Sequence, residues 1–438
     1  MNLIDTLKDA GVVGAGGAGF PTYIKAGSTV EYVIANGAEC EPLLHKDARL
    51  MEAHADRVVR GMLIMGEATG AQQLVVGIKS KNRGAVDAIR AACQGTRVTV
   101  HELQDYYPAG DEYELTHEVT GRLIPPKGIP LDVGVVTQNV ETLYNIAAAV
   151  DHGVPVTHKW LTITGAVQTP ITAVVPIGTS YRECIALAGG ATIEEFQLSC
   201  DGIMMGRWET DLDKVVTKTS GGIIVLPVDH HLMRRRSRPK AKMHRIGKSA
   251  CDQCTFCTEL CPRYLLGYDV QPHKVMRSLG FTMMGEGMWN KYADLCCACG
   301  LCTLFACPED LYPKEACDRA KDDLRATGQK WEGPVEVRKH AMKDARKVPV
   351  KTLMRRLKLT KYEHHAPLTD RKLEPAEVSI PLKMHVGAPS TSLVRIGDRV
   401  RVGQRIADPA STGLGVAIHS SVDGVVLAVG DAITIARA

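Results

Sequence analysis

The chain has 438 residues and 14 cysteines, and nine of those cysteines fall between Cys251 and Cys307. The first run reads Cys251-x-x-Cys254-x-x-Cys257-x-x-x-Cys261-Pro262. The second reads Cys296-x-x-Cys299-x-x-Cys302-x-x-x-x-Cys307-Pro308. A cubane iron–sulfur cluster needs four thiolates around one compact site. Three closely spaced cysteines wrap most of it and a more distant one closes it. The first run has bacterial ferredoxin spacing, and the second carries one extra residue before its last cysteine. In paired runs the fourth cysteine of each ligates the other cluster. The spacing therefore assigns Cys251, Cys254, Cys257 and Cys307 to one [4Fe–4S] cluster, and Cys296, Cys299, Cys302 and Cys261 to a second. Two zinc sites are the bland alternative, but zinc usually takes two separated Cys-x-x-Cys pairs. Cys297 breaks the spacing and is read as unligated. Cys317 is read as a helix-face residue, and Cys40, Cys93, Cys184 and Cys200 as reduced core thiols.

A second candidate is the loop GAGGAGFPT at Gly14–Thr22, with Gly14, Gly16, Gly17 and Gly19. Glycines let peptide N–H groups approach a phosphate or a flat ring closely. G-x-G-x-x-G alone is a weak signal, because the dinucleotide fingerprint requires a strand before it and a helix opening at it. Here the preceding Leu3, Ile4 and Leu7 have helical spacing, and Phe20-Pro21 should delay the next helix. A plain flexible turn is the alternative.

These groups need elements to hold them. Tyr32–Ala35 reads as a buried parallel strand whose C-terminal end delivers Asn36, Glu39 and Glu41, where open α/β sheets place ligands. Leu74–Ile78 and Val98–Val100 read as further strands, with a helix over Val86–Ala92 between them. Residues 1–150 are thus expected to be α/β. Between Lys159 and Pro227 lie short β-branched runs and a helical stretch at Tyr181–Ala188. Arg234–Lys248 reads as a basic, solvated linker, with docking of an acidic partner as the alternative. Residues 318–365 read as charged and helical, and residues 384–438 as all β.

Composition sets outer limits. Apolar residues are 45% and charged residues 23%, which excludes a wholly disordered chain. No apolar run approaches the roughly 20 residues of a membrane span. The N-terminus shows no secretion signal, so bunched cysteines argue for clusters over disulfides and for a cytoplasmic setting. A net charge of +4 is too weak for nucleic-acid binding unless clustered, and no interleaved aromatics support base stacking.

The motifs GAGGAGFPT, NGAECEP with Asp47-x-Arg49-Leu50-Met51, YPAGDEYEL at Tyr107–Leu115 and QNVET at Gln138–Thr142 together resemble the flavin-binding RnfC component of Rnf-type electron-transport complexes. More distantly they resemble the NADH-oxidising flavin subunit of complex I. The resemblance implies FMN held by Gly14, Gly16, Gly17, Gly19, Lys25, Asn36 and Asn139. It implies Phe20 stacked on a ring and Glu39 and Glu41 on the nicotinamide side. Complex I has an arginine where Ala15 stands here, which bears on the electron donor.

The implied fold is multidomain α/β. It has a flavin-binding Rossmann-like domain (1–150), a soluble-ligand-binding β-grasp domain (151–232) and the basic linker (233–248). A ferredoxin-like two-cluster helical domain (249–320), a charged helical segment (321–375) and a barrel-sandwich hybrid (376–438) follow. That last module resembles lipoyl carriers, but the last lysine in the chain is Lys383, so no swinging arm is expected. Its C-terminal position makes the chain similar to the cobalamin reductases of propanediol-utilisation microcompartments. This implies NADH as donor, FMN and two [4Fe–4S] clusters as cofactors, and cobalamin as acceptor. A cobalamin adenosyltransferase and a shell protein are the implied partners. A non-catalytic electron conduit in a larger Rnf-like or shell-associated complex is the rival.

Overall fold

The computed structural model describes residues 2–280 and 289–438. Residues 281–288, within the expected two-cluster domain, lie outside the described residues. The N-terminal sheet runs Val98–Leu103, Gln73–Lys79, Tyr32–Gly37 and Val135–Asn139, all parallel. Tyr32 pairs with Gln73 on one side and Val135 on the other. Parallel strands buried on both faces read as continuous apolar runs, and Val33, Ile34 and Ala35 are fully buried. The helix Lys46–Ala68 kinks at His54, whose imidazole lies 5.3 Å from the Tyr144 ring and 5.6 Å from Trp160. The helix Val140–His152 packs beside it, capped by Asn139 and ended by left-handed Gly153. The helix after the glycine loop opens directly at Thr22, with Pro21 as its cap residue. Phe20 and Pro21 thus separate the last loop glycine from the helix, as the sequence leads one to expect.

The next sheet has strand order Ile171–Pro176, His158–Gly165, Gly222–Pro227, Phe196–Cys200 and Arg207–Glu209. Only its central pair, His158–Gly165 with Gly222–Pro227, is parallel. The helix Tyr181–Leu187 lies against this sheet, held by a Ser180–Glu183 capping box. The C-terminal β module has a four-stranded and a three-stranded sheet. Its Val378, Ile380, Ile433 and Ile435 share one continuous apolar core with Leu7, Val33, Met51 and Leu143 of the N-terminal module. Lys218 adds to this joint by donating to the carbonyls of Gly11 (2.7 Å) and Ala417 (3.1 Å).

Two expectations need correction. Arg234–Lys248 is not a solvated connector, because helices span His231–Arg236 and Lys240–Ala250. Leu232, Met233 and Met243 are buried, an apolar spacing hidden by the surrounding charge. Arg236 donates to the carbonyls of Ile203 and Met204, and Arg235 to those of Thr303 and Leu311. Residues 318–365 are also not one helical stretch. The helix Pro313–Thr327 ends at left-handed Gly328, irregular chain follows, and a short helix forms only at Val350–Arg356. Lys343 is buried between Glu114 and Glu118, and Arg346, Lys347 and Arg356 pair with Glu259, Glu118 and Asp310. These basic residues are thus spread over several elements and not along one helix.

Candidate functional site

The glycine loop is a closed turn. Gly14 N donates to Phe20 O (2.9 Å) and Gly19 N to Gly14 O (3.2 Å). Its tip, Gly16–Ala18, is exposed. Gly17 has φ +114°, and a side chain there would enter open space. Gly19 is fixed from behind, where an added Cβ would lie 2.9 Å from Thr219 and 3.2 Å from the Met384 carbonyl. Val386 N also donates to Gly19 O (3.0 Å), so the C-terminal β module braces the loop. Phe20 is half-buried.

Behind the loop sits a buried charge network. Lys46 donates to Asp47 (2.6 Å) and Glu141 (2.9 Å). Lys159, on the next module's first strand, reaches Glu141 and the Ala15 carbonyl. Thr142 accepts from Ala15 N (2.9 Å). Asn139 caps its helix through Glu141 N and donates to Asp47 (2.8 Å), and a Cβ at Gly16 would lie 3.4 Å from Asn139 Cβ. Asn139, Gly14, Gly16 and Gly17 are thus gathered at one place. Glu39 accepts from Asp47 N (3.0 Å). Although the residue keeps partial exposure, enclosure of its carboxyl and the nearby Asp47 raise its pKa to about 8.

The remaining expected flavin residues have other partners. Asn36 bridges Gly110 O (2.8 Å) and Ala38 N (3.2 Å). Lys25 donates to Thr137 O (2.8 Å) and pairs with Glu112 (3.5 Å). Glu41 is clamped by the amides of Met204 (2.8 Å) and Met205 (2.9 Å), which tie it to the β-grasp module. Sequence reasoning gave no role to Lys46, Glu141 or Lys159. The available signal was a charged residue at the edge of each apolar run.

The cysteines form two groups. Cys251, Cys254, Cys257 and Cys307 line one cavity together with His273 and Met276. Burial, then Cys251, Cys307 and Cys254, pushes the Cys257 thiol up to about 12. In the other group, Cys261, Cys297 and Cys302 all act electrostatically on Cys299. Burial, then Cys296, pushes Cys261 up. Cys296 is drawn down to about 7, first by hydrogen bonding with Cys317. Crowded thiols in a low-dielectric site resist ionising together, and cationic iron removes that penalty.

Both ligand runs share a backbone device. Gln253 and Thr255 have φ +63° and +69°, and Ala298 and Gly300, at equivalent offsets, have +57° and +78°. This winding aims polar hydrogens at sulfur: Ala298 N lies 3.3 Å from Cys296 Sγ and Gln253 Nε2 3.1 Å from Cys251 Sγ. Among the described residues, no three His, Cys, Asp or Glu side chains converge as a single metal ion requires. The first group instead lines one cavity. Cys297 lies beside the second group, with Cys296 and Arg263 in a cleft of about 200 Å³. Cys184 and Cys200 are buried, whereas Cys40 and Cys93 keep partial exposure.

Comparison with known proteins follows the same division. Residues 7–148 match the Nuo51 FMN-binding domain, and 161–207 the SLBB domain. Residues 250–312 match a 4Fe-4S dicluster domain, and 358–437 the RnfC barrel sandwich hybrid domain. The cobalamin reductase PduS of Salmonella typhimurium is 42% identical, with 99% of this chain and 96% of the relative aligned. That of Citrobacter freundii is 40% identical over 96% and 93%. The C component of the proton-translocating ferredoxin:NAD(+) oxidoreductase complex of Clostridium ljungdahlii is 35% identical, over 60% of this chain and 56% of its own length. With four modules in this order and near-complete alignment, the chain belongs to the cobalamin reductase PduS family.

Proposed function

We propose that this chain takes electrons from NADH through FMN and two [4Fe–4S] clusters and delivers them to cobalamin. The observation that carries the reading is the presence, in one chain, of an exposed glycine turn beside Asn139 at the C-terminal end of a parallel-sheet strand and two groups of four cysteines. When bound, flavin supplies the conversion of hydride chemistry into single-electron transfer, and the clusters carry single electrons.

The chain's own residues do the rest. The exposed amides at Gly16–Ala18 offer donors to a phosphate or ring edge. Lys46 and Lys159 hold positive charge behind the loop, balanced by Asp47 and Glu141. Glu39, with its raised pKa, holds a proton on its carboxyl near neutral pH. Eight cysteines hold the iron: Cys251, Cys254, Cys257 and Cys307 in one set, Cys261, Cys296, Cys299 and Cys302 in the other.

The test uses anaerobically reconstituted full-length chain. The expected result is bound FMN, about eight irons per chain and NADH-dependent reduction of cobalamin without a partner. Dye reduction with no corrin reduction would favour the conduit. Failure to retain flavin would sink the enzyme reading. Among the described residues no helix is long and apolar enough to cross a membrane. Association with a microcompartment, a shell protein and a cobalamin adenosyltransferase rests on the family likeness. Co-purification of the tagged chain with shell fractions tests it.

A further inference from the structure

The two cysteine sets are held differently. The cavity of the first is lined wholly by residues between 251 and 313. The second is gripped by the flavin-side module and the β-grasp module at several points. Tyr107 is buried and donates its hydroxyl to the Cys299 carbonyl (2.7 Å). Asp111 takes both guanidinium arms of Arg263 (2.6 and 3.1 Å), two residues after Cys261. Tyr268 donates to Ile124 O (2.6 Å), and Cys261 packs in one apolar cluster with Tyr113 and Leu123. From the β-grasp side, the Met204 carbonyl would lie 3.0 Å from a Cβ at Gly300. The segment holding Tyr107 and Asp111 also touches the C-terminal end of the central strand Tyr32–Gly37, since Gly110 O accepts from Asn36.

We infer that Cys261, Cys296, Cys299 and Cys302 form the flavin-side set, and that Tyr107 and Asp111 are positioning residues that dock it and set its electrostatics. Cys251, Cys254, Cys257 and Cys307 then form the outward set, nearer the acceptor. The inference rests on the proposed electron-transfer function.

The physical consequence has a sign. The Tyr107 hydroxyl neutralises the negative end of the Cys299 carbonyl dipole. Removing it makes the local field more negative and the nearby cluster harder to reduce. Removing the Asp111 charge leaves the Arg263 cation in excess and makes the same cluster easier to reduce. In Asp111→Asn the amide oxygen can still cap the helix that Asp111 caps, and Tyr107→Phe keeps the buried ring.

The experiment is a redox titration followed by EPR on reconstituted full-length chain. It compares Cys254→Ala, which removes the outward set, with Cys254→Ala/Tyr107→Phe and Cys254→Ala/Asp111→Asn. The surviving signal should shift to lower potential in the Tyr107→Phe variant and to higher potential in the Asp111→Asn variant. In the otherwise intact chain, only one of two signals should move. Shifts confined to the signal that Cys254→Ala abolishes would overturn the inference. So would two variants that keep their iron and leave the surviving potential where it was. If Tyr107→Phe does not fold, the sign of the Asp111→Asn shift decides alone. A chain that binds no iron or flavin fails at the proposed function, and this inference falls with it.

Discussion

The first and second cysteine sets have nearly the same local sequence and the same left-handed turns, yet they sit in different surroundings. At the fifth position of each ligand loop the first set has Thr255 and the second has Gly300. Thr255 shows that a side chain is tolerated at this conformation when nothing presses on it. Gly300 faces the Met204 carbonyl. The first set's cavity is lined by residues 251–313 and tied from outside through carbonyls, where Arg356 donates to Cys307 (3.1 Å) and Arg235 to Leu311 (3.0 Å). The second set is gripped by the flavin-side and β-grasp modules at several points. A ligand motif therefore specifies a cluster, whereas the surface around it specifies what that cluster adjoins.

The strongest test removes a ligand from the first set. Cys254→Ala should lower iron from about eight to about four per chain and leave flavin bound. Loss of all iron would erase the distinction. Glu141→Ala attacks the joint instead. It strands Lys159 as a buried, uncompensated cation and leaves Lys46 with Asp47 alone, at a cost of about 3–5 kcal/mol in a denaturant titration. The second set should release iron before the first as denaturant rises.

Exchange at the fifth position sharpens the comparison further. Gly300→Thr should cost about 1–3 kcal/mol, from left-handed strain and the clash with Met204, and should lower second-set iron. Thr255→Gly should leave iron unchanged. If both exchanges behave alike, the surroundings do not matter. A further test is a pH slope. Because the folded chain binds the Glu39 proton more tightly than the unfolded chain, its contribution is complete below about pH 4.5 and is lost as pH rises through about 8. Asp47, Lys46 and Glu141 face this carboxyl. Stability of Glu39→Gln should vary less with pH across that window in chemical denaturation. An unchanged slope would assign it to another group.

Much of this is legible in advance where the determinants are local. The strand at Tyr32, the helix after Arg83 and the β-rich C-terminus follow from apolar periodicity within a few residues. The stretch Arg234–Lys248 reads as a solvated connector because charge density masks two short helices, His231–Arg236 and Lys240–Ala250, whose buried residues, Leu232, Met233 and Met243, are few. The stretch after Gly328 errs in the opposite direction. Its helix-friendly composition is interrupted by Gly328, Gly333 and Pro349. Glu41 illustrates a third case. Its position at the end of a strand suggests a ligand, but its amide partners at Met204 and Met205 lie 163 and 164 residues away.

Sequence alone determined what each segment is able to bind, because thiolate spacing and glycine φ freedom are properties of a few adjacent residues. Only the tertiary structure decided that Lys159 neutralises Glu141, that Tyr107 touches Cys299 and that the C-terminal β module braces Gly19. Those pairings join groups that no local pattern connects. They form because burying apolar surface brings distant strands together and every polar group carried inside must then find a partner.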